Sequence, residues 1–155
     1  MILAVPALLV LVAGLACSFL GCIVPLAALA AFAASYAPAR VGIGTILATW
    51  LSGQVLGFTI HHYPMNGSTF AWGIAIGVAA LAAYALARVA RRNMVISFVV
   101  AFAAFEAVLM LFSIKLGDWD AYAPRILFML LLTNAAWFTG MTLAVTYGLR
   151  LHPSR

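Results

Sequence analysis

Charge is what this sequence has least of. Only 7% of its 155 residues are charged, three acids against eight Lys and Arg, where a soluble domain carries about 25%. That is too few to surface a water-soluble globule, and it excludes a disordered chain and a nucleic-acid-binding domain as well. Cysteine is nearly absent, with Cys17 and Cys22 alone, which excludes a disulfide-stapled secreted module. The two do not form Cys-x-x-Cys and read as buried free thiols, a disulfide across a turn being the alternative. No H-E-x-x-H, G-x-S-x-G or phosphate-binding loop occurs, and three acids with three histidines leave little material for catalysis. No enzymatic activity and no cofactor is expected.

What is present is apolar. Hydrophobic residues make up 67% of the chain and the mean hydropathy is +1.17. These values describe a polytopic integral membrane protein, whose main partner is the lipid bilayer. Its continuous apolar runs favour helices over a barrel, which would alternate polar and apolar residues in short segments. The expected fold class is all-α, a single domain over residues 1–155.

Six spans can be read, at about Ile2 to Phe19, Gly21 to Tyr36, Val41 to Ile60, Phe70 to Ala87, Met94 to Leu116 and Pro124 to Leu149. The first pair is the least regular. No charge precedes Arg40, and one helix reaching that far would be about 58 Å long at about 1.5 Å per residue. The chain must therefore turn back, with Gly21 and Pro25 as the available punctuation. Five spans with a re-entrant segment is the alternative. The start, Met-Ile-Leu-Ala-Val-Pro, has no basic region, so the first span is expected to be retained rather than cleaved.

Lys and Arg set the orientation, because cytoplasmic loops carry an excess of them. Six spans place the N-terminus, Arg40, Arg88, Arg91, Arg92, Arg150 and Arg155 on one side, and Lys115 and Arg125 on the other. The first side is expected to be cytoplasmic, with both termini there, in a plasma (inner) membrane. The net charge of +5 then favours contact with anionic inner-leaflet lipid and implies no nucleic acid.

Two G-x-x-x-G rows occur, Gly53 with Gly57 and Gly73 with Gly77, and Ala75, Ala79, Ala83 and Ala87 recur every four residues. Ala27 with Ala31 and Ala30 with Ala34 form similar rows. Small residues at this spacing let helix backbones approach closely. They suit packing within the chain first, and a docking face for other membrane subunits, through Gly53/Gly57 and Ala75/Ala79, second.

Glu106 is the one acid deep within a span. A charge there costs at least about 2.5–3.5 kcal/mol on insertion scales, and no Lys or Arg lies at comparable depth to repay it. Glu106 is expected to be protonated, to hold a cation or to face water. Gln54 and Asn134 lie at similar depth, and Thr49, Ser52, Thr133 and Thr139 could join them. Such a cluster either binds a small solute, cation or proton, or ties helices together by hydrogen bonds.

The outward loops read His61-His62-Tyr63-Pro64-Met65-Asn66-Gly67-Ser68 and Lys115-Leu-Gly-Asp118-Trp119-Asp120-Ala-Tyr122. His61, His62, Asp118, Trp119 and Asp120 are candidate residues for a solute-binding mouth leading toward Gln54 and Glu106. The competing reading is an interfacial aromatic belt. Adjacent histidines point about 100° apart on a helix, so at most one faces a given centre. Their spacing with Asp118 and Asp120 fits no metal signature, and no metal is expected. Asn66-Gly67-Ser68 reads as a turn before a glycosylation sequon.

With its six short hydrophobic spans, the rows at Ala27, Ala31, Ala75 and Ala79 and a polar outer mouth, the chain resembles the substrate-binding S components of energy-coupling-factor vitamin transporters. The resemblance is one of size and topology, and no vitamin-binding residue carries over. It implies capture of a small solute from outside and docking to a separate energising module. Residues and resemblance together lead to one expectation: a membrane component that binds a small solute or cation from the outer face and helps move it. A non-catalytic structural subunit or assembly factor of a larger membrane complex is the alternative.

Overall fold

A computed structural model describes residues 4–19, 24–116 and 124–151. Six helices follow one another: α1 (Ala4–Phe19), α2 (Leu26–Tyr36), α3 (Ala39–Thr59), α4 (Gly67–Ala90), α5 (Met94–Leu116) and α6 (Pro124–Leu151). The described residues contain no strand. Four helices, α3 to α6, are long and apolar enough to cross a membrane.

Their outward faces are what a bilayer requires. Leu51 and Val55 on α3, Ile74 and Val78 on α4, Val99 and Leu111 on α5, and Phe128 and Leu132 on α6 are all exposed. In water these side chains would form apolar patches far larger than a soluble monomer shows. Hydroxyls in α3 are internally satisfied: Thr45, Thr49, Ser52 and Thr59 each donate to the carbonyl four residues earlier, at 2.7–2.9 Å. That local bond lets a polar residue sit in a spanning helix.

The first pair departs from the expected spans. α1 has 16 residues, about 24 Å at 1.5 Å per residue. α2 has 11, about 16 Å, roughly half of a hydrocarbon core about 30 Å thick. The expected span from Gly21 to Tyr36 is therefore replaced by a half-length helix beginning after Pro25. Every residue from Leu26 to Ala34 is buried, so α2 shows no face to lipid and sits in the middle of the other five helices. Its composition explains this. Alanines at positions 27, 28, 30, 31, 33 and 34 let neighbouring backbones close in from all sides, while Leu29 and Phe32 fill the remaining space.

A short helix at such depth has backbone groups at both ends that water cannot satisfy. Other helices satisfy them. At the start of α2, the Ala28 N–H donates to Asn134 Oδ1 on α6 at 3.0 Å, and the Leu26 N–H donates to the Val24 carbonyl at 2.8 Å. At its end, Arg88 Nη1 on α4 donates to the Ala37 carbonyl at 2.9 Å and the Ala34 carbonyl at 3.3 Å. A guanidinium there also complements the negative end of the helix dipole.

α3 and α4 run antiparallel in a register set by small-against-large pairs. A Cβ on Gly42 would collide with the Tyr84 ring, one on Gly77 with the Trp50 indole, and one on Gly73 with Gln54 Oε1. Tyr84 Oη donates to the Ala39 carbonyl at 3.1 Å, and Trp50 Nε1 to the Gly73 carbonyl at 2.9 Å. The same register puts Arg40 and Arg88 at one end of the bundle. Arg91 and Arg92 follow in the turn before α5, and Lys115 lies at that helix's far end, the end that also carries the α3–α4 loop with His61 and His62. Asn66 does more than turn the chain: its Oδ1 accepts from the Thr69 N–H at 2.9 Å and caps α4.

Ala75, Ala79, Ala83 and Ala87 are all buried, as is Gly57, which is covered by the Tyr63 ring. The Ala75/Ala79 row thus packs within the chain, the first of its two expected uses, because its small side chains admit the chain's own helices. The thiol side of Cys17 and the whole of Cys22 lie outside the described residues.

Candidate functional site

α2 begins after Pro25, and a cavity of about 350 Å³ lies at its N-terminal end. Val24 and Leu26 at the start of α2 form its floor. Thr49, Trp50, Gly53 and Gln54 of α3 line it, with Ile76 of α4, Phe105, Glu106 and Leu109 of α5, and Leu130 and Asn134 of α6; His61 and Tyr63 line it at the end of α3. At the arginine end α5 and α6 are held together by Phe98 stacked on Phe138, with ring centroids 5.1 Å apart.

The three deep polar residues picked out in the sequence, Gln54, Glu106 and Asn134, thus share one cavity, and His61 stands on its wall. Glu106 is ten positions from the end of α5 and Asn134 ten from the start of α6, so each lies about 15 Å in from the histidine end. The two are not equivalent. Asn134 is buried and fully employed: its Oδ1 accepts from Ala28 and its Nδ2 donates to the Leu130 carbonyl at 2.9 Å. It holds the floor of the cavity. Gln54 and Glu106 are half-buried and make no side-chain hydrogen bond or ion pair among the described residues. Their polar atoms are available to the cavity.

The remaining candidates divide. His62 is exposed and absent from the lining, with φ of 53°, the left-handed region that few non-glycine residues occupy. The ring of His61 stacks on Tyr63 at 6.0 Å, and Phe58 stacks on Phe70 at 5.2 Å. This puts an aromatic layer at the rim, as an interfacial belt would. Asp118, Trp119 and Asp120 lie outside the described residues. Thr49 reaches the lining but spends its hydroxyl proton on Thr45, Ser52 bonds within its own helix, and Thr133 and Thr139 are exposed.

Sequence reasoning missed the walls. Trp50, Tyr63 and Phe105 give the cavity three aromatic rings, and the indole of Trp50 is pinned by its bond to the Gly73 carbonyl. The signal was Trp50 itself, an aromatic with a polar edge placed within a span, where its N–H needs a partner. No Lys or Arg lines the cavity, and no group of three or more His, Cys, Asp or Glu able to hold a metal ion occurs among the described residues. The arrangement offers a carboxyl and an amide without side-chain partners among the described residues, with His61 at the rim and a mainly apolar and aromatic wall, in the size range of pockets for small molecules. No family model, curated protein or solved structure matches the chain, so the reading of this site rests on its own geometry.

Proposed function

We propose that the protein is an integral membrane component that binds a small solute or cation from the outer face and helps move it across the bilayer. The observation that carries this reading is the convergence of Gln54 and Glu106, neither with a side-chain partner among the described residues, on one cavity whose lining reaches His61 and Tyr63. Supporting it is the half-length α2. Discontinuous helices ending near the midplane are a recurrent way to build a binding site between spanning helices. The excess of Arg at the opposite end favours that end as cytoplasmic, which makes the His61 side the outer one.

The alternative, a non-catalytic structural subunit of a larger complex, was expected to use the Gly53/Gly57 and Ala75/Ala79 faces. Gly57, Ala75 and Ala79 are buried within the chain and Gly53 lines the cavity, so those two faces do not support that reading.

The test needs no knowledge of the solute. In a chain with Cys17 and Cys22 replaced by alanine, Gln54→Cys should react with a membrane-impermeant thiol reagent added to the outer face of intact cells. Leu86→Cys, exposed toward the arginine end of α4, should not. A Gln54→Cys chain that is folded but inert from outside, and reactive only after permeabilisation, would overturn the outward-facing site.

A further inference from the structure

We propose that the cavity takes a small organic ammonium ion, a primary or quaternary amine carried on an apolar or aromatic body of about benzyl size. This rests on the reading of the cavity as a solute site and narrows it to a ligand class.

Charge is the first ground. Glu106 is the only acidic side chain among the described residues, it lines the cavity, and no Lys or Arg lines it with Glu106. Lys115 is nine residues further along α5, about 13 Å along the helix axis. An ionised carboxylate at this depth is costly unless a cation accompanies it, and the described residues supply no Lys or Arg at the site. A ligand that brings its own positive charge repays that cost where a neutral one does not.

Shape and chemistry separate an organic cation from an inorganic one. A bare divalent ion wants six or more oxygen ligands at short range, or a set of nitrogen and sulfur ligands. The cavity offers Glu106, the Gln54 amide and one imidazole, His61, short of three His, Cys, Asp or Glu ligands among the described residues, and its volume of about 350 Å³ is many times that of an ion. The rest of the wall is apolar, with Val24, Leu26, Ile76, Leu109 and Leu130, and aromatic, with Trp50, Tyr63 and Phe105. Aromatic faces attract alkylammonium groups, most strongly when the site is desolvated. The ammonium belongs beside Glu106 and Gln54, with the hydrocarbon body among the rings.

Anions fit poorly for a specific reason. The start of α2 faces the cavity and would be the natural anion seat, but three of its first-turn donors are already used. The N–H groups of Leu26, Ala28 and Leu29 go to the Val24 carbonyl, Asn134 Oδ1 and the Pro25 carbonyl.

The experiment uses the full chain in lipid nanodiscs and calorimetric titration with four probes: benzylamine, benzyltrimethylammonium, benzyl alcohol and benzoate. The two ammonium probes are expected to bind at least tenfold more tightly than benzyl alcohol, and benzoate more weakly than any. Glu106→Gln should erase the ammonium preference, bringing benzylamine and benzyl alcohol to within about twofold of each other. Because Glu106→Gln could fail to fold, Gly53→Leu, which fills the cavity and keeps the carboxylate, serves as a second variant and should weaken all probes together. Equal binding of amine and alcohol, or a preference for benzoate, would overturn the ammonium class and leave the solute cavity standing. If no probe binds, or Gly53→Leu changes nothing, the ammonium proposal falls and the solute-site reading falls with it.

Discussion

Replacing Asn134 by alanine separates the two things an amide at that depth could be doing. Its side chain accepts from the Ala28 N–H and donates to the Leu130 carbonyl, so truncation removes the acceptor that closes the first turn of α2. Losing such a cap costs about 0.5–2 kcal/mol in water, and a buried N–H left unpaired costs about 1–3 kcal/mol. Interhelical side-chain hydrogen bonds in membranes average nearer about 0.6 kcal/mol, because groups freed in the bilayer find other partners. Ala28 has less freedom than those side chains. Its N–H is fixed in the backbone one turn after Pro25, and Asn134 is only 5% exposed, so water does not readily take its place. We expect a loss of about 2 kcal/mol, read as a lower midpoint in a denaturing-detergent titration, together with faster hydrogen exchange at Ala28. Asn134→Leu, which restores volume without an acceptor, should lose a similar amount. Unchanged stability in both variants, with Ala28 as protected as before, would refute the capping argument. If ligand binding were lost at the same time, Asn134 would have to be reassigned as a ligand of the solute.

Other expectations follow from the same contacts. Arg88→Met removes the donor to Ala34 and Ala37 at the opposite end of α2; hydrogen bonds to charged groups are worth about 1.5–3 kcal/mol, and the detergent midpoint should fall accordingly. Combined with Asn134→Ala, it should show non-additive loss, since both residues cap one 11-residue helix. Gly77→Ala drives a methyl into the rigid Trp50 ring and should destabilise by about 1–3 kcal/mol, whereas Gly73→Ala meets only the flexible end of Gln54 and should cost less. Gly44→Ala and Gly140→Ala meet nothing within 4 Å and should instead stabilise by up to about 1 kcal/mol through helix propensity. The same titration checks all four.

The long helices were readable because each is an apolar run bounded by charges or by a loop. Met94 to Leu116 was placed residue for residue, and α3, α4 and α6 within three residues at either end. α4 starts earlier than its hydropathy suggests because Asn66 caps it, a signal present in the letters Asn-Gly-Ser-Thr and read only as a turn. α2 was misjudged for a deeper reason. In a bilayer both the lipid face and the core face of a helix are apolar, so hydropathy does not tell inside from outside. Side-chain size does. A segment with six alanines between Leu26 and Ser35 lacks the large side chains that cover the lipid faces of α3 to α6, and that contrast was available before any coordinates. Arg88 was counted only as a topological charge, since nothing local to it reveals that two carbonyls from another helix lie within reach.

The half-length of α2 links fold and site in one argument. A full span at that central position would run on toward the histidine end and fill the core with alanine and leucine. Stopping at Pro25 leaves a space among α3, α4, α5 and α6, and the backbone ends so created must be paired within the protein. Asn134 meets that need, while Arg88 pairs carbonyls at the other end of the helix. Gln54 and Glu106 have no such duty. A bundle needing only register could have used apolar residues there at lower cost, since replacing buried charged or polar groups with well-packed apolar ones is often neutral or stabilising. Glu106 in particular carries an insertion cost of about 2.5–3.5 kcal/mol or more when charged and joins no helix to another among the described residues. Under the proposed function, a cationic solute that pairs with Glu106 offsets that cost.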